Sequence, residues 1–251
     1  MTQLTLDDYF LSETELLKNI TDGFTENINE TVRWLNSPKA KRFFNQRQGL
    51  INEFFETSGI NNEWHNICHK RARLGVDVAS EIYEYARKKN MRDYTPNYTT
   101  TEREALNLLC DYNYNLIVNV TSQQVQGIRY ALLEDVASGV NPLQTNIKEH
   151  LNEIMLDPVN GWSPAKRAEV IARTESARVL NTSTLETYRA EGVQYVELIG
   201  LDDSETCDDC LDYRDKPVPI DEALNIGVIH PNCRCAWVEY TGEVNILEVK
   251  Q

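Results

Sequence analysis

Five residues that can bind a metal ion lie in one short stretch near the C-terminal end of the chain. They are Cys207, Cys210, His230, Cys233 and Cys235, and they include four of the chain's 6 cysteines. In Cys-x-x-Cys, two thiolates can face one tetrahedral ion from a tight turn, and a second ligand pair from a distant turn completes the site. Cysteines two positions apart face the same side of a strand. The spacing therefore predicts a structural zinc site.

A closed structural zinc site takes four ligands, so one of the five candidates is surplus. We expect one zinc ion bound by Cys207, Cys210, His230 and either Cys233 or Cys235, with Cys235 preferred. A catalytic zinc is disfavoured by the surplus, because such a site keeps one position open. A disulfide remains an alternative if the protein meets oxidising conditions.

A redox pair of the thioredoxin type is a further alternative for Cys-x-x-Cys, and two observations disfavour it. Such a pair opens a helix after a strand within a βαβ unit. Here Asp208 and Asp209 stand between the two cysteines, and their negative charges would raise the thiol pKa.

The composition indicates a folded, acidic protein. The chain has 251 residues, of which 41% are hydrophobic, and a formal net charge of -14. The charge argues against a broad nucleic-acid-wrapping surface, because phosphate contacts need clustered Lys and Arg. The N-terminal residues do not resemble a signal peptide, and no stretch reaches the roughly 20 apolar residues of a membrane span. We therefore expect a cytosolic protein without membrane partners.

Most of the chain up to Pro158 shows the apolar repeat of helices, every three or four residues. The predicted helices cover 12–35, 38–59, 64–90, 101–139 and 141–154. Two Ser/Thr-x-x-Glu capping boxes, at Ser12 and Thr101, are expected to begin the first and fourth helices. The pair Thr121-Ser122 is expected to bend or break the fourth.

After Pro158 the pattern changes to a helix followed by strands. Ser163 is expected to cap a helix that ends at Gly192, and the segments V-Q-Y-V-E-L-I-G-L and C-A-W-V-E-Y-T-G-E predict strands on either side of the cysteine cluster. The predicted fold is mostly α, with a helical docking and assembly region at 1–157 and a small α+β module at 158–251. A module of this size commonly needs a metal or a neighbour for stability.

The C-terminal module resembles a known protein family. The segments A-R-T-E-S-A-R, D-D-S-E-T-C-D-D-C-L-D-Y-R-D-K-P and I-H-P-N-C-R-C-A-W, in this order, are similar to the phage Mu F-like minor head protein, or head morphogenesis, family. The resemblance covers roughly 161–240 and does not extend clearly into 1–150. One departure is Tyr213-Arg214-Asp215, where a Leu-Asp-Gly-type turn is common, so the shape of that loop is open.

The resemblance implies a structural minor head protein of a tailed phage or prophage, involved in head assembly or in DNA packaging and delivery. The implied partners are the portal and/or the major capsid protein. The implied location is the virion, inside the capsid near the portal, with the host cytoplasm as the place of assembly.

Two alternatives to this function stay open. One is a cellular zinc-binding interaction module, and the other is a Mu F-linked enzyme or toxin. Some members carry an appended toxin or transferase domain, but the given sequence ends with T-G-E-V-N-I-L-E-V-K-Q soon after Cys235, so we expect none here. The chain also shows no Ser/His/Asp arrangement or phosphate-binding glycine loop, so we expect no enzymatic activity.

Residues outside the cluster have weaker patterns. Arg173 and Glu175 are expected either to tie their helix to the zinc loop or a partner, or to form ordinary surface pairs such as Glu175 with Arg178. His65 and His69 are four apart, a spacing that can bind a metal, but core and surface roles are favoured. The third helix is basic, which indicates a solvated face or, less favoured, contact with packaged DNA; its basic residues are Arg71, Arg73, Arg87, Lys88, Lys89 and Arg92.

Overall fold

A computed structural model describes residues 6–46, 51–139, 141, 163–200 and 207–242. The helices are α1 (Leu6–Leu35), α2 (Pro38–Gln46), α3 (Ile51–Ser58), α4 (Ile60–Asn90), α5 (Thr100–Ala137), α6 (Pro164–Ala190), α7 (Asp208–Leu211) and α8 (Ile220–Ile226). The strands are β1 (Tyr195–Ile199), β2 (Val218–Pro219) and β3 (Ala236–Glu239). The predicted fold class, helical with a small C-terminal α+β module, is confirmed.

Several helix ends lie where the sequence predicts them. The Ser37 hydroxyl accepts a hydrogen bond from the Ala40 N–H (3.2 Å) at the start of α2, and the Ser163 hydroxyl accepts one from the Lys166 N–H (3.2 Å) at the start of α6. Gly139 and Gly192 follow α5 and α6 with φ angles of 78° and 81°. Glycine is the residue that adopts this conformation without steric cost.

Two predicted features of the first and second helices differ in the structure. The first begins at Leu6, so Ser12 lies inside α1 and does not begin it. The preceding residues contain no glycine or proline that would stop a helix. The stretch predicted as one helix at 38–59 contains α2 and α3, and residues 47–50 between them lie outside the described part of the chain.

The capping box of α5 is displaced from its predicted position. Thr99, not Thr101, caps the helix: its hydroxyl accepts from the Glu102 N–H (3.2 Å), and Glu102 accepts from the Thr99 N–H (2.7 Å). The run of three threonines at 99–101 makes two boxes equally good in sequence. The Thr99 box forms because its glutamate, Glu102, also pairs with the buried Arg87.

Helix α5 continues through Thr121 and Ser122, so the predicted break is wrong. The Thr121 hydroxyl donates to the Ile117 carbonyl (2.6 Å), one turn back within the same helix. This bond satisfies the hydroxyl without breaking the helix. The helix predicted at 141–154 and the boundary predicted between 157 and 158 fall outside the described residues, and that division stays a prediction.

The contacts divide the chain into two compact units. The sheet unit comprises 1–17, 76–113 and 170–251, and the helical unit comprises 18–75 and 114–169. The helical unit has its own aromatic core, in which the rings of Phe43 and Phe54 stack with centroids 4.2 Å apart and Trp34 packs against Phe54 at 5.3 Å. The phenylalanines of α2 and α3 therefore form a helix–helix core with Trp34 of α1.

The sheet unit is built on three antiparallel strands in the order β2-β1-β3. Val196 of β1 pairs with Val218 of β2 and with Glu239 of β3. Helix α6 supplies Leu185 and Tyr188 to the core around the sheet, together with Trp237 of β3. The strands β1 and β3 were predicted from their alternating β-rich pattern; β2 has two residues, one of them proline, and was not.

A buried arginine organises the loop before α5. Arg87 is fully buried and donates to Glu102 (2.9 Å) and Glu84 (3.0 Å), and to the carbonyl of Asn97 (3.1 Å). Burial alone would raise the pKa of Glu102, but hydrogen bonds from Arg87 and Thr99 outweigh it and lower this pKa. A buried charge of this kind is tolerated only because its donors are paired.

In the described residues, no helix has the length and apolar character needed to cross a membrane.

We predict that Glu102→Gln destabilises the protein by about 3 kcal/mol at neutral pH, because it leaves the Arg87 charge buried without its closest counter-ion. Since the pKa of Glu102 is lowered in the folded state, the pair's stabilisation is complete above the ordinary glutamate pKa and is lost as the pH falls through the lower folded value. The difference between variant and wild type should therefore shrink in acid.

Urea unfolding at neutral and acidic pH measures both effects. The matched control is Glu104→Gln, an exposed residue of the same helix, for which we expect a change below about 0.5 kcal/mol. Equal stabilities for the two variants would contradict the assignment.

Candidate metal centre

The first half of the cluster is a short turn at the start of α7. Cys207 is the N-cap residue, and its sulfur accepts from the Cys210 N–H (3.4 Å). The Leu211 N–H is 3.1 Å from the Cys207 carbonyl, which closes the turn. This local geometry brings the two sulfurs of Cys-x-x-Cys to the same side.

The second half of the cluster approaches the first from the turn before β3. The His230 Nε2 atom lies 3.1 Å from the Cys207 Sγ and 3.2 Å from the Cys210 Sγ. The Cys210 Sγ lies 3.7 Å from the Cys233 Sγ. Ligand atoms group as Cys207, Cys210 and His230 and as Cys210, Cys233 and Cys235, with each group's atoms within 4.8 Å of one another. The structure therefore brings the five predicted residues together, with Cys210 common to both groups.

The hydrogen bonding of His230 suits a metal ligand. Its Nδ1 atom lies 2.8 Å from the Pro231 carbonyl oxygen. A carbonyl oxygen only accepts, so Nδ1 is the donor in this bond, and in the neutral imidazole the lone pair of Nε2 faces the thiols. Metal-binding histidines usually donate their other N–H in this way, which fixes ring orientation and tautomer.

The thiols occupy distinct electrostatic environments. Cys210 and Cys233 are buried, at 2% and 3% exposure. Burial raises the pKa of Cys210 to about 12. A hydrogen bond from Cys235 lowers the pKa of Cys233 to about 5, against the effect of burial. The same hydrogen bond, with burial, raises the pKa of Cys235. Because cysteine binds a metal as the thiolate, metal binding at the thiols whose pKa is raised must release protons.

The donor set fits zinc. Zinc–sulfur bonds of about 2.3 Å in a tetrahedron imply sulfur–sulfur separations of about 3.8 Å, close to the 3.7 Å between Cys210 and Cys233. A disulfide would require a sulfur–sulfur distance of about 2.05 Å, and the six cysteines are free thiols. Thiolates with one imidazole are the ligands of structural zinc sites.

Helix α6 fixes the turn that carries His230 and Cys233. Asn232 of this turn has φ of 70°, a left-handed conformation that asparagine tolerates better than most residues. Its N–H donates to the Thr174 hydroxyl (2.8 Å), and its side-chain oxygen accepts from Arg173. Arg173 therefore connects its helix to the turn of the Cys/His cluster, which is one of the two roles considered from the sequence.

Glu175 has a different role from Arg173. It pairs with Arg178 (3.1 Å) on the same helix, the surface-type pair considered from the sequence. Its side chain is only 5% exposed, however, and burial raises its pKa despite the neighbouring guanidinium. Arg173 pairs with Glu13 of α1 (3.2 Å), a residue 160 positions earlier in the chain.

Asn181 is a positioning residue that the sequence did not indicate. Its side chain donates to the Cys235 carbonyl (3.0 Å) and accepts from the Trp237 N–H (3.2 Å). The two bonds hold the start of β3 against α6, directly after the ligand turn. The pattern Arg-x-Glu drew attention to the first half of α6, whereas Asn181 lies two turns later among threonines and serines.

The loop after α7 has a left-handed residue at the position where the resemblance expects glycine. Asp215 stands where the resemblance expects glycine, and its φ is 55°. This is the left-handed region that glycine favours and that aspartate adopts more readily than most residues. Asp215 therefore has a backbone conformation that glycine would adopt without steric cost.

The histidine pair of α4 takes the core and surface roles that were favoured. Cys68 is buried in the aromatic core of the helical unit. The rings of His65 and His69 are 4.1 Å apart, and His69 Nδ1 hydrogen-bonds the Tyr114 hydroxyl (2.6 Å). Burial, with His65 and Arg73 nearby, lowers the pKa of His69.

The basic residues of α4 form the favoured solvated face only in part, because Arg73 and Lys88 are exposed whereas Arg71 and Arg87 are buried. Arg71 is 11% exposed in its side chain and pairs with Asp22 and Glu26. Arg87 is buried, as described above. Arg92, just beyond the helix, is 55% exposed and pairs with Glu191 and Glu239. Acidic partners therefore neutralise three of these charges.

Comparison with known proteins gives one family. Residues 126–238 match the model of the family described as Phage Mu protein F like protein. No curated protein and no solved structure matches the chain. The match confirms the resemblance drawn from the residue pattern and supports a phage head morphogenesis protein.

The matched region begins earlier than the residue pattern predicts. It starts at residue 126, within α5, whereas the pattern was limited to roughly 161–240. The later part of α5 has the apolar repeat of a helix without cysteine or histidine. Such a segment predicts a helix and carries no motif by which a family can be recognised.

We predict that Asn181→Ala destabilises the protein by about 3 kcal/mol, because it leaves the Trp237 N–H and the Cys235 carbonyl without partners in a buried place. Thermal or urea unfolding of the full chain measures the change. Thr182→Ala, at the neighbouring and less buried position, is the matched control. A loss no larger than that of the control would show that the two bonds contribute little.

Proposed function

We propose that the chain is a structural minor head protein of a tailed phage or prophage, acting in head assembly or in DNA packaging and delivery. The main evidence for this proposal is the family match over 126–238, a region that includes α6, nearly all of the sheet and the whole Cys/His cluster. The contact of Arg173 with the His-Pro-Asn-Cys turn supports it, because it joins the separate motifs of the resemblance into one structural element.

The proposed partners are the portal and/or the major capsid protein, with the chain inside the capsid near the portal and in the host cytoplasm during assembly. Helical surfaces are available for such docking. Contact with packaged DNA is the weaker part of the proposal, because Arg71, Arg87 and Arg92 are already paired with carboxylates and phosphate binding needs accessible positive charge.

We also propose one structural zinc ion, held by Cys207, Cys210, His230 and one of Cys233 and Cys235. The ion would cross-link the α7 turn to the turn before β3. The surrounding residues favour a structural role over a catalytic one. Five donors compete for four positions, and two of the thiols are at most 3% exposed, which leaves little access for a substrate.

We predict that the purified protein contains one zinc ion per chain and that the double variant Cys207→Ser, Cys210→Ser contains none. A chelator should lower the melting temperature of the wild type and leave that of the double variant unchanged, because metal binding is coupled to folding. Elemental analysis and thermal unfolding measure the two effects. Cys110→Ser, a half-buried cysteine outside the cluster, is the matched control and should keep the metal.

Single variants separate the two candidates for the fourth ligand. With cobalt in place of zinc, Cys235→Ser should weaken sulfur-to-metal charge-transfer absorption and Cys233→Ser should not, if Cys235 is the ligand. The reverse result would assign Cys233. Absence of stoichiometric metal from the wild type, with C-terminal hydrogen exchange unchanged in the double variant, would exclude the zinc site.

We predict that heads purified from the phage or prophage that encodes the chain contain it in far fewer copies than the major capsid protein. Cross-linking with mass spectrometry on intact heads should join it to the portal, and a particle reconstruction should locate it on the inner side. The major capsid protein serves as the internal control for copy number. Heads that lack the chain would reject the structural role and favour a cellular zinc-binding interaction module.

A further inference from the structure

We propose that Glu13, Arg173 and Asn232 form a relay that couples the first turns of α1 to metal binding at the Cys/His turn. The packing of these turns against α6, with the Glu13–Arg173 pair formed, is called the seating of α1. Arg173 is the positioning residue of this relay. The inference rests on the zinc site proposed above and concerns its regulation. It states that a segment of the same chain, the part of α1 that contains Glu13, influences metal binding at that site.

The first link is the ion pair between α1 and α6. The Arg173 Nε atom donates to both Glu13 carboxylate oxygens, at 3.2 and 3.3 Å, and a terminal nitrogen lies 3.2 Å from the same carboxylate. The two side chains are only 11% and 13% exposed. A pair this well covered is screened little by solvent, and removal of one member leaves the other charge poorly solvated.

The second link is the contact of α6 with the ligand turn. Another terminal nitrogen of Arg173 donates to the Asn232 side-chain oxygen, and Thr174 accepts from the Asn232 N–H (2.8 Å). Asn232 stands between His230 and Cys233, and the Cys233 N–H donates to the His230 carbonyl (3.2 Å). The left-handed backbone of Asn232 therefore sets the separation of two candidate ligands.

The planar guanidinium makes the coupling specific. The Nε atom and one terminal nitrogen contact Glu13, and the other terminal nitrogen donates to Asn232. Both contacts therefore require a single orientation of the Arg173 side chain. A lysine would keep the charge beside Glu13 but would lack the donors in fixed geometry that reach both partners. Without Glu13, the guanidinium gains freedom to turn, and the Asn232 side chain loses its fixed donor.

Reciprocity follows from thermodynamic linkage. If seating of α1 raises zinc affinity by some factor, then zinc binding favours seating of α1 by the same factor. We expect a factor of roughly 10, in the usual range for coupled sites. A partner that binds or displaces the start of α1 would then change the metal affinity of a turn that it does not touch.

The test measures zinc affinity of the full chain by competition with a chromophoric chelator. We expect Glu13→Gln and Arg173→Gln to weaken zinc binding roughly 10-fold. The double variant should be no weaker than either single variant, because both break the same relay. Arg173→Lys should restore thermal stability more than zinc affinity. Arg189→Gln, which removes a pair with Glu186 on the same helix, is the matched control and should bind zinc like the wild type.

A second measurement follows the relay in the opposite direction. Zinc addition should slow amide hydrogen exchange in residues 6–17 of the wild type and of Arg189→Gln, but not of Arg173→Gln. Loss of stability alone would not abolish this zinc-dependent change. If Arg173→Gln does not fold, Glu13→Gln replaces it in both measurements.

The outcomes separate the relay from the zinc site. Equal zinc affinity in all variants, or slowed exchange of 6–17 in the Arg173 variant, overturns the relay and leaves the zinc site intact. A wild type that binds no zinc overturns both. Additive losses in the double variant would show that Glu13 and Arg173 act separately.

Discussion

Helix α6 is buried along almost its whole length, and this constraint sets the arrangement of the elements around it. A buried polar group without a partner costs more than a hydrogen bond gains, yet α6 carries four threonines, two serines and one asparagine. Thr174 binds the ligand turn, Asn181 binds β3, Ser183 donates to the Tyr83 carbonyl of α4, and Thr184 accepts from Asn90 at the end of α4. Apolar contacts are tolerant of small shifts, whereas these bonds each specify one position of a neighbouring element.

The cysteine cluster complements this central helix. A three-stranded sheet with a two-residue strand offers little apolar surface, and the described part of the segment between β1 and β3 contains the short helices α7 and α8 and the two-residue β2. Helix α6 holds one end of that segment through Asn232 and Asn181, and the proposed metal would hold the other through Cys207 and Cys210. The hydrogen bonds from α6 and the proposed metal ligands thus have the same effect, because both hold loops in place that the small apolar core does not fix by itself.

The sequence predicted features that depend on neighbouring residues and missed those that depend on distant ones. The apolar repeats located α4 and α6, and Ser163 and Gly192 gave the ends of α6, because caps act within one turn. The capping box of α5 was placed two residues late because Glu102 is selected by Arg87, a tertiary contact. The five candidate ligands were predicted from spacing and lie together. The bond of Arg173 to Glu13 spans 160 positions and has no local pattern, and β2 is too short for any alternation to appear.

Both edges of the small sheet are closed to strand addition where they are described. On one side, β2 ends in Pro219, which has no N–H to donate. On the other, the outward carbonyl of Cys235 and N–H of Trp237 are occupied by Asn181. An exposed edge is a template for pairing with another chain. Sheet growth between copies is therefore disfavoured at this edge by Asn181, which also holds the start of β3 against α6.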